Sequence, residues 1–174
     1  MGHEGHDHEH PHGDGHDAAH DPGDPGGAAL GSTPGSLLHL DCFAGVSGDM
    51  LLGALSDLGV AREVFDRPLA ALGLDGFKLR FEPTSKNAIG ATRATVEVAA
   101  GQPERCYADI RTLLDRARLD EAVRRRAHAA FRVLAEAEAR VHRTSIEEVH
   151  FHEVGAVDAI VDIVGTCAAI DHLG

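Results

Sequence analysis

The chain has 174 residues, an apolar content of 43% and a net charge of −12, which suits one compact domain with a tail. This acidic balance repels phosphate backbones, and aromatic residues make up only 4%, so a nucleic-acid partner is not expected. No apolar run reaches the roughly 18 residues of a membrane span, and the N-terminus lacks a secretory signal pattern. Three widely spaced cysteines predict neither a disulfide framework nor a cysteine zinc site. We therefore expect a cytoplasmic protein without a membrane partner.

Residues 1–36 differ in composition from the rest of the chain. They hold seven of the 13 histidines and seven acidic residues, with nine glycines, four prolines and no Lys or Arg. Such a stretch cannot bury enough apolar surface to fold, which predicts a disordered tail before a folded domain over residues 37–174. Imidazole suits nickel, copper and zinc, so the tail is predicted to bind metal. Its candidate ligands are His3, His6, His8, His10, His12, His16 and His20. The alternative is a solubilising acidic tail or an expression tag.

The folded part opens with an apolar run over residues 37–43, which predicts a buried strand followed by a glycine-bearing turn and a helix. In that helix Leu51, Leu55 and Leu58 recur at helical spacing. Gly59 then stands where a C-terminal glycine cap belongs.

A second helix is predicted over residues 61–72, where Pro68 is expected to break or restart it. Strict alternation of apolar and polar residues then predicts two strands, over residues 77–82 and 91–98. Residues 85–87 suit the connecting loop, so the two strands should form an antiparallel pair.

Three further helices complete the predicted order, over residues 108–118, 120–142 and 157–170. The apolar stripe of the long one is predicted to consist of Val123, Ala127, Phe131, Leu134 and Val141. Strands and helices do not alternate regularly. We therefore predict an α+β fold of short strands, including the antiparallel pair, packed by several helices, with α/β as the alternative.

The glycine turn over residues 41–50 is the first candidate for chemistry in the folded part. A turn between a strand and a helix directs backbone N–H groups outward, which favours an anion. The alternative is that Ser47 or Asp49 caps the helix. Neither a Walker nor a Rossmann motif is present. Cys42 is more typical of a small buried residue than of a nucleophile.

Residues 150–162 are the second candidate. On extended backbone His150 and His152 face the same way, and in the following helix Asp158 and Asp162 share one face. The rest of that helix is apolar, and a buried carboxylate is costly unless it is paired, hydrogen-bonded or metal-bound. The predicted metal ligands are His150, His152, Glu153, Asp158 and Asp162. In the alternative, Asp158 favours the helix N-terminus and Asp162 pairs with an Arg of the long helix.

Two segments together resemble a known family. LHLDCFAGVSGDMLLGALSDLG (38–59) and HFHEVGAVDAIVDIVG (150–165) resemble the N-terminal half of the LarC family, the nickel insertion proteins that mature the cofactor of lactate racemase. The chain departs from the family pattern at Ala44, where many relatives are expected to have Ser. This departure removes one hydroxyl from the glycine turn.

The resemblance implies CTP-dependent insertion of nickel into pyridinium-3,5-bisthiocarboxylic acid mononucleotide, with magnesium or manganese accompanying CTP. The family's nucleotide-binding part lies in the C-terminal half, so this chain would supply the N-terminal part. The implied partners are the pyridinium mononucleotide, a C-terminal half or partner chain, and the apoprotein of lactate racemase. Asp41, Ser47 and Asp49 become candidate catalytic residues, and Gly45, Ser47 and Gly48 candidate cofactor-binding residues.

Two rival functions remain open at this point. A non-catalytic nickel storage or delivery module would act through the His-rich tail and use the folded domain as a scaffold. A phosphate-binding enzyme unrelated to the family would use the glycine turn, although the turn has no lysine.

Overall fold

The structure, a computed structural model, describes residues 37–103, 105–149, 151 and 156–174. The predicted tail over residues 1–36, with its seven histidines, lies outside the described residues, as do His150, His152 and Glu153. No described helix has the length and hydropathy to cross a bilayer.

Five α-helices and one antiparallel strand pair make up the described chain, which confirms the predicted α+β class. In chain order the elements are α1 (Gly48–Asp57), α2 (Arg62–Ala71), β1 (Phe77–Lys86), β2 (Ile89–Val98), α3 (Tyr107–Arg116), α4 (Glu121–His142), a short 3-10 helix (Ile146–Glu148) and α5 (Val157–Leu173).

The strand pair is a hairpin whose register runs from Phe77 opposite Val98 to Lys86 opposite Ile89. Asn87 and Ala88 have φ angles of 52° and 62° and form a two-residue turn of the kind that matches the twist of paired strands. The loop predicted over residues 85–87 is therefore too long, because the first two of these residues are in β1.

α5 lies at the centre of the core. It packs against α1, α2 and α4, and also touches both strands. Its residues Val157, Ile160, Val161, Val164 and Ala169 are fully buried. The helix is apolar nearly all round because neighbours cover most of its circumference.

The strand predicted over residues 37–43 is wrong. These residues have no regular secondary structure, and Leu37 and Phe43 are 88% and 93% exposed. The described sheet contains only β1 and β2, so the segment has no strand to pair with. An apolar run forms a strand only where another backbone satisfies its N–H and C=O groups.

The helix predicted after the glycine turn is present as α1, and Gly59 follows it with a φ of 98°. Its buried face differs from the predicted one. Leu52 is fully buried whereas Leu58 is 39% exposed, so the face is centred between Leu52 and Leu55.

Two further details of the helices depart from prediction. α2 continues through Pro68 without a break. Val141 is 75% exposed and does not belong to the stripe of α4, in which Ala135 is buried instead. Ala135 follows Phe131 by four residues, about one turn, whereas Val141 follows it by nearly three turns and points elsewhere.

Candidate functional site

The first turn of α1 lies directly against α5. A Cβ atom built on Gly48 would lie 2.6 Å from Cγ of Asp162 and would overlap its Cβ. Only glycine permits this approach, since real Cβ atoms do not come so close to a neighbour. The fold thereby joins the glycine turn and the α5 carboxylates, which the sequence presented as two separate candidates.

Asp162 is the unusual residue of this contact. Its Oδ1 is buried and has no hydrogen-bond partner among the described residues. Burial raises the pKa of this carboxyl from 3.8 to about 6, and the negative charges of Asp49 and Asp158 contribute further. The alternative interpretation expected Asp162 to pair with an Arg of α4, but no such pair is formed between described residues, and Arg126 of that helix pairs with Asp171.

Asp49 is the second residue of α1 and is exposed. Its Oδ1 accepts hydrogen bonds from the Ser47 hydroxyl and, at 2.9 Å, from the Met50 N–H. Ser47 stands at the N-cap position but makes no side-chain bond to the helix backbone. A carboxylate at a helix N-terminus is favoured by the helix dipole, so Asp49 stabilises α1. It also adds a negative charge beside Asp162.

Asp158 lies in the first turn of α5 and is exposed. Its Oδ1 accepts a hydrogen bond of 2.8 Å from the N–H of Ala159. This is the helix-terminus arrangement that the alternative interpretation predicted for Asp158. Its charge nevertheless acts on Asp162, one helical turn further along α5.

Thr166 is a second polar residue of α5 with a buried atom that lacks a partner, and the sequence reasoning missed it. Its Oγ1 is buried and has no hydrogen-bond partner in the described part of the chain. Thr166 follows Asp162 by four residues and therefore shares its face of α5. A polar residue at every fourth position, 158, 162 and 166, in the otherwise apolar segment 157–170 is the signal that would have found it.

The glycine turn has fewer free backbone N–H donors than the sequence predicts. The N–H of Gly45, which has a φ of 84°, donates 2.9 Å to the carbonyl oxygen of Cys42. The N–H groups of Gly48 and Asp49 have no acceptor among the described residues. Asp41 is exposed without a side-chain hydrogen bond to a described residue, and Cys42 is exposed, contrary to the burial expected for it.

The described residues do not complete a metal site. No group of three or more His, Cys, Asp or Glu side chains in residues 37–103, 105–149, 151 and 156–174 is placed to hold one ion. What they provide is a negative potential at Asp162 and one buried carboxylate oxygen without a hydrogen-bond partner. A cation at this position would offset the cost of ionising a buried carboxyl.

Comparison with known proteins identifies the family. The family model described as nickel insertion protein matches residues 38–174. The chain belongs to this family. The match includes the glycine turn and the five α-helices and two strands of the described residues, and it begins after the His-rich tail.

Two curated nickel insertion proteins illustrate the relationship. The pyridinium-3,5-bisthiocarboxylic acid mononucleotide nickel insertion protein of Acetivibrio thermocellus is 47% identical over 146 residues, which cover 79% of this chain and 36% of that protein. The protein of the same name from Staphylococcus epidermidis is 45% identical over 137 residues, covering 79% of this chain and 35% of its own length. The chain thus spans about a third of the length of the nickel insertion proteins it matches. No solved structure matches it.

Proposed function

We propose that this chain supplies the nickel-accepting part in the CTP-dependent insertion of nickel into pyridinium-3,5-bisthiocarboxylic acid mononucleotide. The product would be the nickel-pincer cofactor of lactate racemase. Family membership and the names of the relatives support this function. The observation that carries it is the unpartnered carboxylate of Asp162 at the glycine-opened contact between α1 and α5.

Nickel is the cargo in this proposal. Asp162 would bind it, and Asp49 and Asp158 would attract it by their charge, since both already act electrostatically on Asp162. Carboxylate and imidazole together are donors that nickel accepts. His150, His152 and Glu153 are proposed to complete the donor set, because they precede α5 by only a few residues in the sequence.

The turn before α1 is proposed to face the mononucleotide. The unpaired N–H groups of Gly48 and Asp49 at a helix N-terminus suit a phosphate oxygen, with Gly45 shaping the turn. Asp41, Ser47 and Asp49 remain proposed catalytic residues. Asp49 itself repels an anion, so the phosphate would approach it together with a divalent cation.

The CTP site, with its magnesium or manganese, is proposed to lie in the part of the family proteins that this chain does not match. That part would be supplied by a C-terminal half or a partner chain. The apoprotein of lactate racemase is the proposed recipient of the finished cofactor. Support for this division comes from the 36% coverage of the relative.

Calorimetric titration with nickel, and separately with manganese, tests the metal site. Protein lacking residues 1–36 is compared with its Asp162→Asn, His150→Ala and His152→Ala variants. We expect each substitution to weaken nickel binding about tenfold or more, as loss of a ligand or its support does. The matched control is Asp75→Asn, which removes an exposed carboxylate between α2 and β1. Identical isotherms for all variants would show that nickel does not bind at the contact between α1 and α5.

Activity is tested by mixing. The purified chain is incubated with nickel, CTP and the pyridinium mononucleotide, with and without the unmatched part of the Acetivibrio thermocellus relative. We expect product only in the mixture. Product formed by the chain alone would contradict the proposed division of labour.

A further inference from the structure

The stretch from residue 37 to residue 50 is unusually rich in exposed apolar side chains. It contributes more than half of the large exposed apolar residues in the described chain: Leu37, Leu38, Leu40, Phe43, Val46 and Met50. We call these residues the 37–50 surface. Single exposed apolar residues are ordinary, but a dense group of them marks an interaction surface.

The backbone of residues 37–46 makes almost no hydrogen bonds to other described backbone groups. Over residues 37–46, the one backbone hydrogen bond between described residues is that from Gly45 to Cys42. Apolar residues on both sides of an extended segment are typical of a strand that is covered on both faces. A segment with this composition and free N–H and C=O groups is suited to pair with a strand of another polypeptide.

We propose that residues 37–43 become a β-strand by pairing with the polypeptide that forms the remaining part of the longer nickel insertion proteins. This inference rests on the proposed function only for the choice of partner. The match covers 36% of the Acetivibrio thermocellus protein, so nearly two thirds of that protein has no counterpart here. A second copy of this chain is disfavoured by its net charge of −12, since like charges oppose close association.

Docking at this surface bears directly on the carboxylate site. The 37–50 surface runs into α1 at Gly48, which contacts Asp162. A polypeptide paired with residues 37–43 would therefore lie beside the first turn of α1. It would reduce the solvent exposure of Asp49 and Asp162. Strand pairing thus completes the surroundings of the site as well as covering Leu40 and Phe43.

The test mixes the full chain with the unmatched part of the Acetivibrio thermocellus relative, without metal, CTP or substrate. Complex formation is followed by sedimentation, and amide hydrogen exchange is measured over residues 37–43. We expect a complex in which these amides become protected. Phe43→Ser should raise the dissociation constant about tenfold or more, as loss of a buried aromatic anchor does. The matched control is Val133→Ser, which removes a 64% exposed valine of α4 and should leave binding unchanged.

Where the separated part of the relative does not fold, a chimera in which this chain replaces the matched region serves instead, with the same exchange measurement. Unprotected amides over residues 37–43 in both formats would overturn the proposal. So would a dimer of this chain that Phe43→Ser dissociates, because the occupant would then be a second copy. Because no nickel is present, failure to dock leaves the titration result at Asp162 untouched, and loss of nickel binding leaves the docking result untouched.

Discussion

The contact between α1 and α5 has a closely packed glycine at each of its two ends, but one glycine meets an apolar side chain and the other a carboxyl. At one end Gly165 of α5 meets the fully buried Leu52, and a Cβ on this glycine would lie 2.9 Å from Cδ2 of Leu52. At the other end Gly48 of α1 meets Asp162. In both places the absence of a side chain lets the helices approach closely. The first approach excludes water from a hydrocarbon core, and the second places a carboxyl where it is costly to ionise.

The two ends of this helix pair differ in what they contribute: the Leu52 end to stability and the Asp162 end to the proposed function. The Leu52 end stabilises the fold because apolar burial is favourable and close packing strengthens it. The Asp162 end opposes folding above the pKa of that carboxyl, because the ionised form loses hydration without gaining a partner. Carboxyls with strongly raised pKa values cluster at functional sites, so this end is the candidate for function. Substitutions at the two ends should therefore have effects of opposite kinds.

Leu52→Ala should have the largest effect. The side chain is fully buried in the core, so its truncation is expected to lower the free energy of unfolding by about 2–5 kcal/mol. Urea denaturation measures this loss, with Val133→Ala on the exposed face of α4 as the control. Nickel binding by the folded fraction should not change. A weakened nickel isotherm would show that the two ends are not independent.

Gly48→Ala should come next. The added Cβ overlaps the Cβ of Asp162, so the helices must separate at a cost of about 1–3 kcal/mol. Asp162→Gly in the same chain should recover much of that loss, because it removes the atoms that collide. Gly90→Ala is the control, since a Cβ on Gly90 meets no atom within 4 Å. Equal effects of Gly48→Ala with and without Asp162→Gly would contradict the described contact.

Asp162→Asn should raise stability in metal-free protein. A folded-state pKa of about 6 against an ordinary value of 3.8 means that the native state binds the proton more tightly. The stability of the wild type should therefore fall as the pH rises from about 4 to about 6, and then level off. At about 1.4 kcal/mol per pKa unit, reduced for partial exposure, Asn should gain about 1–2 kcal/mol at pH 7.

Thermal unfolding of wild type and Asp162→Asn between pH 4 and pH 8 measures this gain. The two curves should converge near pH 4, where the wild-type carboxyl is protonated. Had Asp162 been paired with an Arg, the same substitution would have cost about 3–5 kcal/mol. A loss of that size at pH 7 would mean that Asp162 has a cationic partner.

Removal of residues 1–36 should have the smallest effect on stability. The family match begins at residue 38, so the tail is outside the matched region. We expect an unchanged melting temperature and a lower number of nickel ions bound per chain. Unaltered stoichiometry would exclude the tail as a nickel store. If all nickel binding vanished with the tail, the storage module acting through its histidines would be favoured over the site at Asp162.

The sequence sufficed where the signal was local. The alternation over residues 77–82 and 91–98 predicted the hairpin, the apolar stripe predicted α4, and the long apolar run predicted α5. Residues 37–43 carried an equally strong strand signal, yet no strand formed. The residue types of a segment show that it can form a strand, but not whether another strand lies beside it to pair with.

The carboxylate site was only partly predictable for a similar reason. Asp158 and Asp162 were visible from their helical spacing. The sequence does not predict that Gly48 and Asp49 lie near Asp162, because residues more than a hundred positions apart come together only through tertiary packing. The raised pKa of Asp162 depends on this meeting, since Asp49 supplies part of the repulsion.

The central position of α5 also governs when the domain can assemble on the ribosome. The helix against which α1, α2 and α4 pack spans Val157–Leu173, so it is synthesised after all of them. Until it emerges, α1 can pack on β2 and α3 on α4, but α2 lacks the helix it packs against, and Leu52 and Phe65 lack Gly165 of α5 beside them. Chains whose apolar faces wait in this way are exposed to misassembly and to chaperones. The emergence of α5 is therefore the step that brings α1, α2 and α4 together around one helix.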